Sequence, residues 1–485
     1  MGAAPERVVG TTERIGYALG DSASNLYWKT FEFFLLFYYT DVFGISAGAV
    51  GTMLLVTRVL DAVADPVMGA IADRTKTRWG HFRPYILWFA LPLAVAGVLT
   101  FTTPNLGSGA KVAYAYATYG LLMLLYTAVN IPYTALMGVL TPNSIERTAL
   151  SSLRFIGAFT AATFVQYFTL GFVRHFGQGN DQRGWQLTMV LYGVLAIVMF
   201  LICFLTTRER VAPPASQSAD LKRDIKDLLG SRPWRVLIGA LMLMLSAFIM
   251  RGGVTAYYFK YFVDPAPFVA WITGAFGAHP ALLARLLQIA GTKDTLLGWF
   301  LVSNGIFGIL GVMVTPVLVK WLGKKRVFVL AVALGGLTYA LLFLPGPTSI
   351  GWMFLNQIAA SFILAPNSPV LFAMFADTAD HGEWRTGRRT TGLVFASSLF
   401  GLKVGVGVGG WLVGAVLAAF GYVANVEQSA TSIMGILIAI SVLPGALLLL
   451  AAFLMRFYEL GDDMMVQIEK DLKERRGGEP AAASA

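Results

Sequence analysis

The stretch GTMLLVTRVLDAVADPVMGAIA, residues 51–72, decides how this chain is read. Wound as a helix rising about 1.5 Å per residue it crosses about 30 Å of hydrocarbon. Yet it holds Arg58, Asp61 and Asp65. A charge at the centre of a membrane helix costs about 2.5–3.5 kcal/mol on insertion scales, so each of the three needs a reason. At 3.6 residues per turn Asp61 and Asp65 stack on one face, with Arg58 one turn before Asp61. Two carboxylates so placed in a low dielectric repel, and at least one should take a proton or share a cation. Oxygen ligands of this kind suit a small hard ion, Na+ or H+. A fixed Arg58–Asp61 ion pair that locks helix packing is the alternative, and it leaves Asp65 without a reason.

Composition agrees with a chain dissolved in lipid. Of 485 residues 56% are hydrophobic and 13% charged, and the mean hydropathy is +0.66. Soluble domains carry roughly twice that charged fraction. Residues 1–14 are polar and lack the apolar core of a secretory signal, and Glu6 stands where a myristoylation signal wants Ser or Thr. The net charge of +10 falls in short loops between apolar runs, the positive-inside pattern, so nucleic acid is not an expected partner. Cys203 is the single cysteine, in an apolar segment, which excludes a disulfide within the chain and a thiolate metal site. His81, His175, His279 and His381 lie in or near expected loops without ligand spacing, so no metal and no cofactor is expected beyond a coupling ion.

Apolar runs long enough to span recur at 16–40, 47–71, 84–103, 112–139, 149–173, 186–206, 235–262, 296–320, 327–345, 350–376, 392–420 and 431–456. Backbone polar groups in lipid must be satisfied within the segment, so these twelve read as helices. Basic residues cluster in DRTKTRWGHFRP (73–84), GKKR (323–326) and HGEWRTGRR (381–389), whereas 41–46 and 346–349 carry no Lys or Arg. Both termini are therefore expected on the cytoplasmic side. The expected organisation is an N-terminal six-helix bundle over 1–206 with the cation site, a cytoplasmic linker over 207–234, a C-terminal six-helix bundle over 235–456 and a C-terminal helix and tail over 457–485. In the linker Leu221, Ile225, Leu228 and Leu229 fall on one helical face between Ser218, a possible cap, and Gly230. Met464, Met465, Ile468 and Leu472 form a similar seam after the last span. Both are read as solvated or membrane-resting helices. The segment 264–294, with FVAWITGAF, is long for an outside loop. NIPY (130–133) followed by ERTAL, and NSPV (367–370) followed by RRTTGL, hint at two corresponding halves.

Other polar residues stand inside spans. Asp21, Asn25, Trp28, Lys29 and Glu32 lie in the first, where Asn25, Trp28 and Glu32 make one polar–aromatic face. A pyranose wants amide and carboxylate groups for its hydroxyls and a flat ring for its C–H surface; hydrogen bonding between helices by Asn25 and an interfacial Trp28 is the plainer alternative. Tyr126, Thr127 and Asn130 precede Pro132, and Thr127 offers the ion another oxygen. Arg154 lies near the inner end of the fifth span, within reach of the interface by snorkelling. Lys403 lies mid-span beside a ridge of Gly401, Gly405 and Gly409 that admits another helix closely. At that depth a lysine needs a carboxylate or a wet cavity.

YALGDSASN (17–25), FYYTDVFGIS (37–46), RVLDAVADPVMG (58–69), TRWGHFRPYIL (77–87), YTAVNIPYTAL (126–136), ADTADHGEW (376–384) and TTGLVFASSLFGLKVG (390–405) together resemble the glycoside–pentoside–hexuronide:cation symporter family of the major facilitator superfamily. The resemblance covers nearly the whole chain and implies the major facilitator fold. It places Asp61 and Asp65 at the family's paired cation-binding carboxylates and Thr127 at a further ligand of that site. Asn25 and Asn130 fall where the melibiose permease branch has two sugar-gripping carboxylates, and Arg154 and Lys403 match basic residues at the sugar site and the gate. Ala64, Thr134 and Ser368 replace an Asn and two Trp of that branch, so neither its Na+ preference nor its α-galactoside specificity carries over. Asn in place of Asp also better tolerates an anionic sugar.

The expectation is therefore a monomeric secondary transporter of the bacterial inner membrane, working with a sugar or glycoside and H+ or Na+. Arg58, Asp61, Asp65 and Thr127 are assigned to the cation, and Asn25, Trp28, Tyr126, Asn130, Arg154 and Lys403 to the substrate. A major-facilitator carrier of another amphiphilic or anionic solute, and a non-transporting membrane sensor, are the alternatives. No phosphate-cradling loop, Ser/His/Asp grouping or His ligand pair supports an enzyme.

Overall fold

The computed structural model describes residues 9–477 apart from 142–143, 211–227, 278, 283, 285–286, 288–290 and 388–390. The linker helix expected from Ser218 to Gly230 lies almost wholly outside the described residues, as does the start of RRTTGL.

The described chain is helical almost throughout. Helix α1 (Thr11–Thr30) runs on through two π-helical turns, Phe31–Leu35 and Tyr38–Phe43. Then come α2 (Ala47–Arg74), α3 (Arg83–Thr100), α4 (Ser108–Leu140), α5 (Ser144–Gly177) and α6 (Asp181–Thr206). Helix α7 (Arg232–Tyr257) ends in a π turn, Tyr258–Phe262, followed by the short α8 (Ala266–Phe276). The series continues with α9 (Lys293–Leu322), α10 (Lys324–Leu341), α11 (Ile350–Leu364), α12 (Asn367–Thr386) and α13 (Thr391–Ala419). It closes with α14 (Ala430–Leu437), a π turn, α15 (Leu443–Leu454) and α16 (Asp462–Gly477). Among the described residues ten helices are long and apolar enough to cross a membrane. The two other expected spans are helical as well, over Thr11–Phe43 and Lys324–Leu341, but carry Asp21, Lys29 and Glu32 or begin with Lys324, Lys325 and Arg326.

Three expectations change. The tenth span breaks at Ala365–Pro366, since proline cannot donate into the preceding turn, and its second half runs on to Thr386. His381 is thereby a buried residue of α12, not of a loop. The terminal helix α16 neither rests on lipid nor stands in solvent on its apolar side. Met465, Ile468 and Leu472 are buried in the same apolar cluster as Leu371, Met374 and Phe375 of α12, while Met464 is exposed. Trp384 Nε1 donates to Asp471 at 2.8 Å across that contact. Within 264–294, residues Ala266–Phe276 form a helix with Trp271 exposed.

The chain divides into two compact units. The first holds residues 1–216, 252–302 and 410–436. In it α1 packs on α5 and α6, and α3 packs on α4 and α6. Glycines also let α1 approach α4 and α3: a Cβ on Gly20 would overlap the ring of Tyr133 of α4, and Tyr27 fits over Gly97 of α3. The free N-terminus of α3 is capped from the end of α6. The Glu209 carboxylate accepts from the backbone N–H groups of His81 (2.8 Å), Phe82 (2.7 Å) and Arg83 (3.0 Å). Four unpaired N–H groups and the helix dipole make that end a natural seat for an anion.

The second unit holds 217–251, 303–409 and 437–485. The small-residue ridge of α13 works as expected there. A Cβ on Gly405 would stand 2.9 Å from Met242 O, and one on Gly409 would stand 2.7 Å from Ser246 O, so α7 lies backbone to backbone along it. Ser246 Oγ donates to Gly405 O at 3.0 Å.

Candidate cation and substrate site

The first unit gathers most of the expected site residues from four helices. Arg58, Asp61 and Asp65 come from α2, Tyr126, Thr127 and Asn130 from α4, Asp21, Asn25 and Trp28 from α1, and Arg154 from α5. Thr127 Oγ1 donates to Asp61 Oδ1 at 2.6 Å and lies 3.3 Å from Asp65 Oδ1. One hydroxyl from α4 therefore brackets two carboxylates one turn apart on α2. Arg58 Nη1 stands 3.5 Å from Asp61 Oδ2, and among the described residues that nitrogen makes no hydrogen bond. The guanidinium instead lies over the Trp28 ring, 4.5 Å from its centroid. Such a cation–π contact is worth most where water is excluded, and Arg58 is buried. Arg58 and Asp61 thus form a buried ion pair on α2, with Asp61 Oδ1 accepting from Thr127.

Around this pair lies a polar–aromatic wall. Trp28 and Tyr126 have ring centroids 5.9 Å apart. Asn25 donates from Nδ2 to Asp21 O at 2.9 Å and reaches Asp21 Oδ2 at 3.3 Å. Arg154 Nε donates to Asp21 Oδ1 at 2.9 Å, and its guanidinium lies 5.7 Å from the Tyr133 ring centroid. Arg154 of α5 is thereby paired with a carboxylate of α1. Tyr126 lies within electrostatic reach of both the Asp21–Arg154 and the Arg58–Asp61 pairs. Asn130 is half-buried one turn beyond Tyr126 on the same face of α4, which stays helical through Pro132.

Two expectations divide here. Glu32 lies in the π turn Phe31–Leu35, and its carboxylate accepts from Lys29 Nζ at 2.6 Å. Lys403 is half-buried on α13 in the second unit, whereas the carboxylate cluster belongs to the first. Sequence reasoning noticed Asp21 without assigning it a task. Its position four residues before Asn25, on the same face, was the available signal. Arg251 went unnoticed, although it stands in the seventh apolar run. It is buried in the second unit over the Tyr339 ring at 4.0 Å, with Nη2 donating to Gln357 Oε1 at 2.8 Å.

Paired carboxylates, a bridging hydroxyl and an aromatic–amide wall thus lie among helices long and apolar enough to cross a membrane. The chain belongs to the MFS/sugar transport protein family, whose model matches residues 16–293 and 286–462. It is 36% identical over 478 residues to a putative glycoside/cation symporter, YagG, of Escherichia coli (strain K12), covering 98% of each chain. It is 35% identical to an isoprimeverose transporter of Lactiplantibacillus pentosus, covering 99% of this chain and 94% of that one. A glucuronide carrier protein homolog of Escherichia coli (strain K12) is 32% identical, with 95% of each covered. Among solved structures, one of proton dependent oligopeptide transporters matches with a TM-score of 0.64 at 13% identity, covering 95% of this chain and 100% of that one. At that identity the likeness speaks for the fold, a helical one of the major-facilitator kind.

Proposed function

We propose that the protein carries a neutral or anionic glycoside into the cell by symport with one coupling cation, H+ or Na+. Asp61, Asp65 and Thr127 hold the cation, with Arg58 as the neighbouring positive charge. Asn25, Trp28, Tyr126, Asn130 and Arg154 face the sugar, and Asp21 joins them as the carboxylate that holds Arg154 in place. Lys403 is assigned to the sugar on the family resemblance alone. The membrane part consists of twelve spans in two six-helix bundles, in the inner membrane of a bacterium, with both termini cytoplasmic and the protein a monomer.

The single observation that carries this reading is the Thr127 hydroxyl set between Asp61 and Asp65 while Arg58 stands off at 3.5 Å. A hydroxyl that draws two carboxylates together offers a travelling cation a set of hard oxygens. Binding of that cation removes repulsion within the pair and orders Thr127 and α4, on which Tyr126 and Asn130 sit. Linkage then makes sugar binding favour cation binding by the same factor. Alternating access turns that coupling into uphill movement of sugar.

The test is transport of a labelled glycoside by Asp61→Asn and Asp65→Asn, chosen from a panel by counterflow in proteoliposomes with and without Na+. Both substitutions are expected to abolish accumulation against a gradient and to leave some downhill flux. Full concentrative uptake by both variants would overturn the cation-site assignment.

A further inference from the structure

At the far end of α1 from residue 11 a second acidic residue is enclosed, and neither the cation nor the sugar site uses it. Asp41 closes the π turn Tyr38–Phe43 and its side chain is 1% exposed. Its Oδ1 accepts from Lys260 Nζ at 2.7 Å and from the Tyr261 hydroxyl. Its Oδ2 accepts from the Tyr422 hydroxyl at 2.6 Å and from Thr40 Oγ1 at 2.6 Å. Its backbone carbonyl takes the Asn425 side-chain amide. A carboxylate has about four acceptor positions, and four side-chain donors fill them. The Tyr422 phenol is pushed far above its ordinary range, first by burial and then by Tyr257 and Asp41, so it stays protonated and keeps donating.

Three segments distant in sequence meet on this one side chain: 37–44, 257–263 and 420–425. Their other contacts repeat the pattern. Tyr257 and Thr40 hydroxyls are 2.7 Å apart, Lys260 lies over the Phe37 ring at 5.0 Å, and Lys260 also donates to Asn425 Oδ1 at 2.7 Å. Beside them α2 and α13 touch without side chains, since a Cβ on Gly51 would lie 3.1 Å from Gly414 Cα. All these residues belong to one compact unit, although two of the three segments come from the second half of the sequence. The π turns at Tyr38–Phe43 and Tyr258–Phe262 flank the meeting point on both sides. A π turn widens a helix and is found mostly where function tolerates its cost.

We propose that Asp41 is a positioning residue of the transport cycle: the centre of a reversible seal that closes the outward end of the transport path and must be broken and remade at each turnover. The purpose rests on the symport reading and on the loop charges that put residues 41–46 outside. The chemistry suits a seal better than a permanent tie. Most ties to the α7 and 420–425 segments are polar side-chain bonds, several of them to one anion, and each of those donors is a hydroxyl, amide or ammonium that water satisfies once the ends part.

Its test needs no substrate, so it fails or succeeds apart from the symport reading, which uptake measures. In a Cys203→Ser background, Ala256→Cys puts a thiol at a buried position one turn inward of Lys260. Labelling of intact cells with an impermeant sulfonated maleimide reads opening of the outer end. Labelling of the parent is expected to be slow, and Asp41→Asn should accelerate it by about tenfold or more, the scale of a lost charge-assisted hydrogen bond. Tyr422→Phe should give a smaller increase, and the exchange Asp41→Lys with Lys260→Asp should return the rate toward the parent. The parent rate in both Asp41→Asn and Tyr422→Phe, with each variant in the membrane at parental amount and thermal stability, would overturn the proposal. If Asp41→Asn fails to fold, Tyr422→Phe and Lys260→Gln decide in its place: acceleration supports the seal, unchanged rates overturn it.

Discussion

Thr127 shows how one small side chain organises two large charges. Its single proton goes to Asp61 at 2.6 Å, leaving Asp65 the longer approach at 3.3 Å. Removing it in Thr127→Ala should weaken cation affinity by about tenfold, the scale of one hydrogen bond to a charged group. Thr127→Ser should restore most of it, and uptake against Na+ concentration or pH measures both. The Asp21–Arg154 pair makes a different prediction. Asp21→Asn leaves a guanidinium in a largely apolar bundle short of its anion, at a cost of about 1–3 kcal/mol. Arg154→Gln leaves the carboxylate in the same position. The double variant should be less destabilised than the sum of the two, because neither charge is then stranded. Thermal unfolding of the four proteins in detergent gives the coupling. Additive losses would mean that the pair holds no shared energy.

The helices themselves are placed by what their surfaces lack. Helix α13 meets α7 along Gly405 and Gly409, where the nearest atoms are backbone oxygens of Met242 and Ser246. Backbone oxygens cannot rotate aside as a side chain does. Gly405→Val should therefore cost about 1–3 kcal/mol of overpacking strain and lower the unfolding temperature. Gly351→Ala on α11, with no atom near its added methyl, should leave it unchanged. An equal loss at both positions would show that the close backbone approach at Gly405 is not what sets the cost, since both substitutions raise helix propensity. The break in the tenth span belongs to this scale as well. Its apolar run reads as one span, and the helix is interrupted at Ala365–Pro366 between α11 and α12.

For the molecule as a whole, the terminal helix α16 is a part of the second unit rather than an appendage. Met465, Ile468 and Leu472 are buried, and Trp384 reaches Asp471 at 2.8 Å. Each buried apolar side chain contributes about 1.5–3 kcal/mol. Truncation after Leu460 should therefore lower the thermal stability of the detergent-purified protein markedly, whereas Trp384→Phe, which removes one hydrogen bond, should cost about 1 kcal/mol. A truncated protein as stable as the parent would return α16 to the role of a loose tail.

The sequence by itself determined that the chain is a set of membrane helices and that α2 carries an acid pair on one face. Both follow from local rules: hydrocarbon thickness fixes the length of apolar runs, and the helical repeat fixes which side chains share a side. Those rules also brought Asn25, Trp28, Tyr126 and Thr127 forward, since a polar group in an apolar run is conspicuous wherever it later packs. Tertiary structure alone decided partnership. Arg154 turns to Asp21, Glu32 to Lys29, and Arg58 to the face of Trp28 as well as to Asp61, which also accepts from a hydroxyl of another helix. It also brought Asp41, Lys260 and Tyr422 onto one point from stretches more than a hundred residues apart. Periodicity states the side of a helix on which a charge lies, but the energy of a buried charge depends on which other helix arrives there.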